Sequence, residues 1–180
     1  MQVVSIVGMA GSGKSEAARV FENNGFKKIR FGDITDDEIK KRGLQLNEEN
    51  ERNVRQQLRQ EHGMAAYAKL NLRKIDARFK SSNVVVDGLY SWEEYTLLKS
   101  RYGDNFHVVA VWASPATRYL RLAKRQVRPL TVIEAASRDI AELKNTNKGG
   151  PIAMADFTII NESSLRDLER QTEKVLSALK

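Results

Sequence analysis

Eight consecutive residues near the amino terminus, Gly8-Met9-Ala10-Gly11-Ser12-Gly13-Lys14-Ser15, have the types and spacing for one task. They fit GxxxxGK followed by Ser or Thr without a gap. Glycines let the backbone turn successive N–H groups inward around anionic oxygens. In such a loop Lys14 reaches the β and γ phosphates of a nucleoside triphosphate, and the Ser15 hydroxyl coordinates magnesium. A helix starting at once adds the positive end of its dipole. The alternative is a glycine turn with no ligand, but an apolar strand before the loop and a helix after it are the context that phosphate binding needs.

Other residues could complete a phosphate-handling site. Asp87 closes the apolar run Val84-Val85-Val86 and is followed by Gly88, a position from which a carboxylate holds magnesium or its waters. It could equally serve as a turn or capping residue. No NKxD segment is present, and Asn147-Lys148-Gly149-Gly150 lacks the aspartate that would read guanine, which favours ATP. Arg118, Arg121, Arg125 and Arg128 recur at i, i+3, i+7 and i+10, within roughly an 80° arc if the helix continues. Such a face either lies in solvent or closes as a lid on a transferring phosphoryl group, with Arg125 and Arg128 acting on the transition state and Arg121 on the nucleotide. Arg52, Arg55 and Arg59 repeat the spacing. They are candidates to grip the phosphate of an acceptor, unless Glu48, Glu49, Glu51 and Glu61 neutralise them. Asp33, in Phe31-Gly32-Asp33, should lie on the same sheet edge as the loop, facing the acceptor or magnesium-bound water, or else simply start a helix. His62 and His107 have no metal-ligand spacing around them. Trp92 and Trp112 read as packing residues, although Tyr90 and Trp92 follow Asp87 closely enough to line a cleft.

The elements that must position these residues follow from periodicity. Val3–Val7 reads as a buried strand, Lys14–Asn24 as a helix closed by Gly25, and Lys27–Phe31 as a second strand. Residues Asp33–Lys80 read as mostly helical with breaks near Gly43 and Gly63. Strands follow at Val84–Val86, Phe106–Trp112 and Phe157–Ile160, with helices at Pro115–Gln126 and Ser164–Leu179 and a loop over Asn145–Pro151. Strands alternating with helices imply an α/β fold, a three-layer sandwich around a parallel sheet. The helical stretch of about 34–80 exceeds one crossover and forms an acceptor-side insertion within a single domain, 1–180.

Bulk properties narrow the class. The 180 residues carry a formal charge of +7, are 41% hydrophobic, and include no cysteine, so disulfides and thiolate metal sites are excluded. No stretch approaches the roughly 18 apolar residues of a membrane helix. No secretory signal precedes the first strand, and the expected location is cytoplasmic. The positive charge suits a phosphorylated small molecule. It also suits nucleic acid, but the aromatic-basic interleaving that stacks bases is not evident.

With these residues in hand, the chain resembles the small P-loop nucleotide kinases, and most closely a largely archaeal group related to adenylate kinase and dephospho-CoA kinase. The resemblance runs through Gly8–Ser15, Phe31-Gly32-Asp33, Val86-Asp87-Gly88, Ala113-Ser114-Pro115 with Arg118, Arg138-Asp139, and Ala155–Asn161. It implies a P-loop NTPase fold with five strands in the order 2-3-1-4-5, a lid at about 125–136, and Asn161 near the adenine. It implies ATP and magnesium as cofactors and a nucleotide-like acceptor, with a nucleoside monophosphate ahead of dephospho-CoA. Two departures bear on activity. Asp87-Gly88-Leu89-Tyr90-Ser91 stands where dephospho-CoA kinases carry Pro-Leu-Leu. Arg128 is followed by Pro129-Leu130-Thr131 rather than an acidic pair. A nucleotide-binding regulatory ATPase with little phosphotransfer is the alternative that the second departure supports.

Overall fold

The computed structural model describes residues 1–179. Its sheet is built on valine-rich runs. Strands β1 (Val3–Val7) and β3 (Val84–Asp87) are buried at every position, as parallel strands covered on both faces must be. Around them lie β2 (Lys27–Arg30), β4 (Phe106–Trp112) and β5 (Phe157–Ile160). All pairings are parallel and the order is β2-β3-β1-β4-β5, as expected.

The period-2 alternation of each strand divides the core into two layers. Val3, Val7, Val84, Val86, Val108 and Ala110 face one side, with Ile29 and Phe31 beside them. There they pack against the helices α2 (Asp33–Lys41), α3 (Glu48–His62), α4 (Ala66–Phe79) and α5 (Trp92–Tyr102), which supply Ile39, Val54, Leu58, Tyr67, Ile75 and Leu98. Val4, Ile6, Val85, Val109, Val111 and Ile159 face the other side. They meet Phe21 of α1 (Lys14–Asn23) and Leu168 and Leu176 of α9 (Leu165–Ala178). Phe21 has no exposed surface, so Phe21→Ala should cost about 3–5 kcal/mol.

Three further helices lie between β4 and β5 in the chain: α6 (Pro115–Ala123), α7 (Val132–Thr146) and α8 (Gly149–Ala153). Side-chain caps fix several starts. Asn47 accepts from the Asn50 N–H, Ser91 from Glu94 and Ser114 from Thr117, and Thr131 with Glu134 forms a capping box at α7. The breaks at Gly43 (φ 66°) and Gly63 (φ 80°) divide the helical stretch as expected.

Three local expectations need correction. The helix beginning at Pro115 stops at Ala123 instead of Gln126. Lys124 caps it, and the chain reverses so that the Leu130 N–H bonds the Leu122 carbonyl at 3.2 Å. The segment Asn145–Pro151 is only partly loop, because α7 runs to Thr146 and α8 begins at Gly149. Helix α5 was not anticipated. It is set by the Ser91 cap and by Leu98 and Tyr102, which join the core cluster with Tyr95 and Leu97 packed against it. No helix of the described residues is long and apolar enough to cross a membrane.

Candidate active site

The glycine-rich loop leaves β1 at its carboxyl end and feeds α1. Three of its glycines hold positive φ: Gly8 at 153°, Gly11 at 81° and Gly13 at 102°. None has space for a side chain. A Cβ at Gly11 would lie 2.8 Å from the Arg118 carbonyl oxygen, and one at Gly8 or Gly13 would collide with the Val111 carbonyl or the Asn161 amide. The loop is thus packed from behind, by β4, α6 and the segment after β5. Asn161 Nδ2 donates to the Ser12 carbonyl at 2.8 Å, and Arg121 reaches Asn161 Oδ1 at 3.4 Å. The Arg118 guanidinium donates to the Ala10 carbonyl at 3.1 Å and forms a two-pronged pair with Asp139 at 2.9 and 2.6 Å.

Arg118 is therefore a buried strut joining the loop to α7, and it does not belong to an exposed basic face. The expected four-arginine face is not formed. Only Arg118 and Arg121 lie within α6, while Arg125 and Arg128 sit on the loop beyond it. Arg128 holds a left-handed backbone (φ 58°), a conformation that costs a non-glycine residue free energy. Its guanidinium bonds Glu51 at 2.5 Å and Asp36 at 3.3 Å. Among the described residues Arg125 forms no ion pair.

Two adjoining cavities open above the strand ends. The first, about 470 Å³, is lined by Ala10, Gly11, Lys14, Ser15, Asp87, Arg125 and Arg128, among others. Lys14 Nζ donates to the Met9 carbonyl at 2.9 Å. Burial, and next the like charge of Lys148, bring Lys14 down to about 7. Asp87 pairs with Ile6 in the sheet register, and one of its carboxylate oxygens, Oδ2, is buried without a partner. Ser12 Oγ is buried and unpartnered too. Gly88 (φ 105°) allows Tyr90 to fold back over the turn, its hydroxyl 2.6 Å from where a Cβ would stand.

The second cavity, about 120 Å³, is lined by Arg52, Arg55 and Arg59 of α3 together with Thr35, Gln56 and Asn145. The three arginines do share the cavity, but unequally. Arg55 is neutralised by Glu48 at 2.7 Å and Glu51 at 3.0 Å. Arg52 lies 3.8 Å from Glu48. Arg59 forms no ion pair among the described residues: it lies over the Tyr67 ring at 5.4 Å, and its Nε is buried without a hydrogen-bond partner. Asp33 is exposed and paired with Arg30 at 2.8 Å. One turn later Asp36 lines the cavity instead.

Both cavities share a charged wall that the sequence reading did not assemble. Arg138 of α7 pairs with Glu48 at 2.8 Å and Glu142 at 3.2 Å, and Glu142 pairs with Lys148 at 2.7 Å. Burial opposes the charge on Glu142, but Lys148, Arg138 and Lys14 overcome it and hold its carboxyl well below the usual range. The available signal was the i, i+4 spacing of Arg138 and Glu142, ordinary for any solvent-facing helix. Among the described residues no cluster of three or more His, Asp or Glu side chains forms a metal cage.

The partnerless Asp87 oxygen and the glycine cradle fit a magnesium-bound triphosphate, a group whose anionic oxygens would take the loop N–H donors.

Comparison with known proteins places this geometry. Residues 4–141 match the family model described as an AAA domain. The chain is 39% identical to a UPF0200 protein of Thermococcus kodakarensis, over 98% of this chain and 97% of that protein. Among solved structures, a gluconokinase from Sinorhizobium meliloti superposes with a TM-score of 0.64 at 15% identity, covering 99% of this chain and 93% of that one. A shikimate kinase from Bacteroides thetaiotaomicron gives 0.62 at 14% identity, covering 99% and 98%. The fold is that of the P-loop kinases.

Proposed function

The chain belongs to the UPF0200 family and carries the AAA domain, and from that premise we propose that it is an ATP-dependent phosphotransferase acting on a small anionic, nucleotide-like acceptor, with a nucleoside monophosphate preferred. The observation that carries this reading is the pairing of two cavities on one sheet edge. One holds the glycine cradle with Lys14 and Asp87, and the other is lined by arginines. That a gluconokinase and a shikimate kinase share this fold supports the reaction class.

In this reading Gly8, Met9, Ala10, Gly11, Ser12 and Gly13 present N–H groups to the phosphates, and Lys14 offsets charge on the β and γ groups. Ser15 and Asp87 would hold magnesium, which would supply positive charge to offset that of the phosphates. Arg121 and Asn161 flank the base side, and Asn161 doubles as a prop for the loop. Arg125 and Arg128 supply lid charge during transfer. Arg59, with Arg52 and Arg55, takes the acceptor's anionic group, while Gly88, expected to meet the acceptor, is covered by Tyr90, which lines both cavities in its place. A phosphate acceptor arrives with an ionised oxygen and needs no general base. Asp33 then serves to orient Arg30, to which it is bonded, and its contribution to turnover is modest.

The reading is tested by ADP release from magnesium-ATP in the presence of each common nucleoside monophosphate and of dephospho-CoA. Acceptor-dependent ADP release with a monophosphate supports it. Release only with dephospho-CoA would move the acceptor to a ribose hydroxyl, and release indifferent to every acceptor would favour a regulatory ATPase.

A further inference from the structure

Lys148 is an unusual place to find a lysine. It follows the last turn of α7 and retains 2% of its exposure. Lysine ammonium groups are almost never fully buried without a reason. The backbone is shaped to put it there. Asn147 adopts a left-handed conformation (φ 50°, ψ 37°) that ends α7 and turns the chain back towards the cleft. Gly150 then lies against Trp92, where a Cβ would stand 2.7 Å from the indole.

Its position is the second observation. Lys14, Ser15 and Asp87 line only the larger cavity, and Arg52, Arg55 and Arg59 only the smaller one. Lys148 lines both. Its Nζ spends one donor on Glu142 at 2.7 Å and rests 5.3 Å from the centroid of the Tyr90 ring. A lysine ammonium has three donors, so donors remain for the cavity. Around Glu142 stand three cations, Lys14, Arg138 and Lys148. Arg138 is shared with Glu48 and Lys14 also faces Asp87, whereas Lys148 pairs with Glu142 alone among the described residues and keeps donors for an anion between the cavities.

Resting on the phosphotransfer reading, we propose that Lys148 is a catalytic residue of this site, a second lysine that contacts the phosphoryl group as it passes from the donor cavity to the acceptor cavity. In that step an acceptor oxygen forms a bond to the terminal phosphorus while the bond from phosphorus to the bridging oxygen breaks. The electron pair stays on the bridging oxygen, which leaves with the nucleoside diphosphate. Lys148 gives up no proton. Its ammonium donates hydrogen bonds to the equatorial oxygens, where charge is spread at the midpoint of transfer. Glu142 is the positioning residue that holds it.

A purely structural ion pair, tying α8 to α7, would look similar at rest, so the test separates the two. Lys148→Met, Glu142→Gln and the double variant are compared with wild type by thermal midpoint, by ADP affinity, and by the gain in affinity when aluminium fluoride joins magnesium-ADP as a planar anionic mimic of the phosphoryl group. We expect Lys148→Met to keep ADP affinity within about threefold and to lose at least tenfold of the fluoride gain. The double variant removes both charges of the pair. It should recover the thermal midpoint without recovering that gain. An undiminished gain in Lys148→Met, or its return in the double variant, would overturn the assignment. If wild type itself binds ADP but shows no fluoride gain, the phosphotransfer reading falls and this inference with it.

Discussion

Lys14 and Arg59 show how much of a side chain's task is set by what surrounds it. Lys14 spends one of its three donors on its own loop, at the Met9 carbonyl, and keeps the others for a phosphate. No other residue within the loop carries a positive charge. Lys14→Ala should abolish nearly all turnover and weaken ATP binding in calorimetry; wild-type values would remove the phosphate-cradle reading. The three α3 arginines read alike in sequence, yet only Arg59 is left without a carboxylate among the described residues. Arg59→Ala should therefore raise acceptor KM by roughly tenfold with ATP KM nearly unchanged, the loss expected for an anion-binding arginine. Arg55→Ala strips Glu48 and Glu51 of a partner, so its damage should appear in the thermal midpoint as well as in KM. Equal effects of the two substitutions on KM, with no difference in melting, would contradict this division of roles. The glycine loop was legible because its chemistry is local and its spacing rigid. The pairing of Glu48 and Glu51 with Arg55 was readable as the competing possibility, being local to α3, but their pairing with Arg128 and Arg138 was not, because partners as far apart as Glu48 and Arg138 meet only through the fold.

Among the elements, the loop between α6 and α7 carries the lid arginines on irregular backbone. A regular arginine face was expected because the i, i+3, i+7 spacing implies a helix. Helix α6 instead ends at Ala123, and Leu130 returns to bond Leu122, burying its side chain beside Ala10 and Ala135. Arg128 is thereby directed towards Asp36 of α2 and Glu51 of α3, so this loop is latched to both helices by charge. Arg128→Ala should lower kcat by about tenfold or more and leave ADP affinity almost unchanged. Arg125→Ala should do the same without altering the latch. Hydrogen exchange of residues 124–131 should accelerate in Arg128→Ala and stay as in wild type in Arg125→Ala. Acceleration in both, or in neither, would mean that the latch does not depend on Arg128. The hold of this loop on α3 was not readable, because it required α2 and α3 to be folded against it.

At the scale of the whole molecule, the α/β class was legible because buried valine runs alternate with helices, while the strand order rested on the family resemblance. Less legible were the polar groups beneath the cleft. Glu94 has no exposed surface, accepts from the Tyr90 N–H at 2.7 Å and leaves one oxygen unpartnered. Burial raises its pKa to about 7 from an ordinary 4.5. Between those values the folded protein binds a proton that the unfolded chain has released. Stability attributable to Glu94 is therefore complete below pH 4.5 and is lost as pH rises through 7. Glu94→Gln should match wild type near pH 4.5 and exceed it by at most about 3 kcal/mol above pH 7. Its melting advantage should widen between those limits, and an advantage constant with pH would exclude the buried carboxylate as its source.

The contact between Gly150 and Trp92 gives the molecule an optical property. Trp92 is half-exposed, stacks on Tyr95 with ring centroids 5.0 Å apart, and touches the chain two residues from Lys148. Only one other tryptophan is present, Trp112 at the end of β4. Trp112→Phe would leave a single indole as an intrinsic fluorophore against α8. A shift of α8 on cavity filling would alter its quenching by Tyr95 and its emission maximum, so ligand entry could be followed by stopped-flow without a label. A flat Trp92 signal during saturating nucleotide and acceptor addition would show that α8 is fixed and that the cleft fills without moving it.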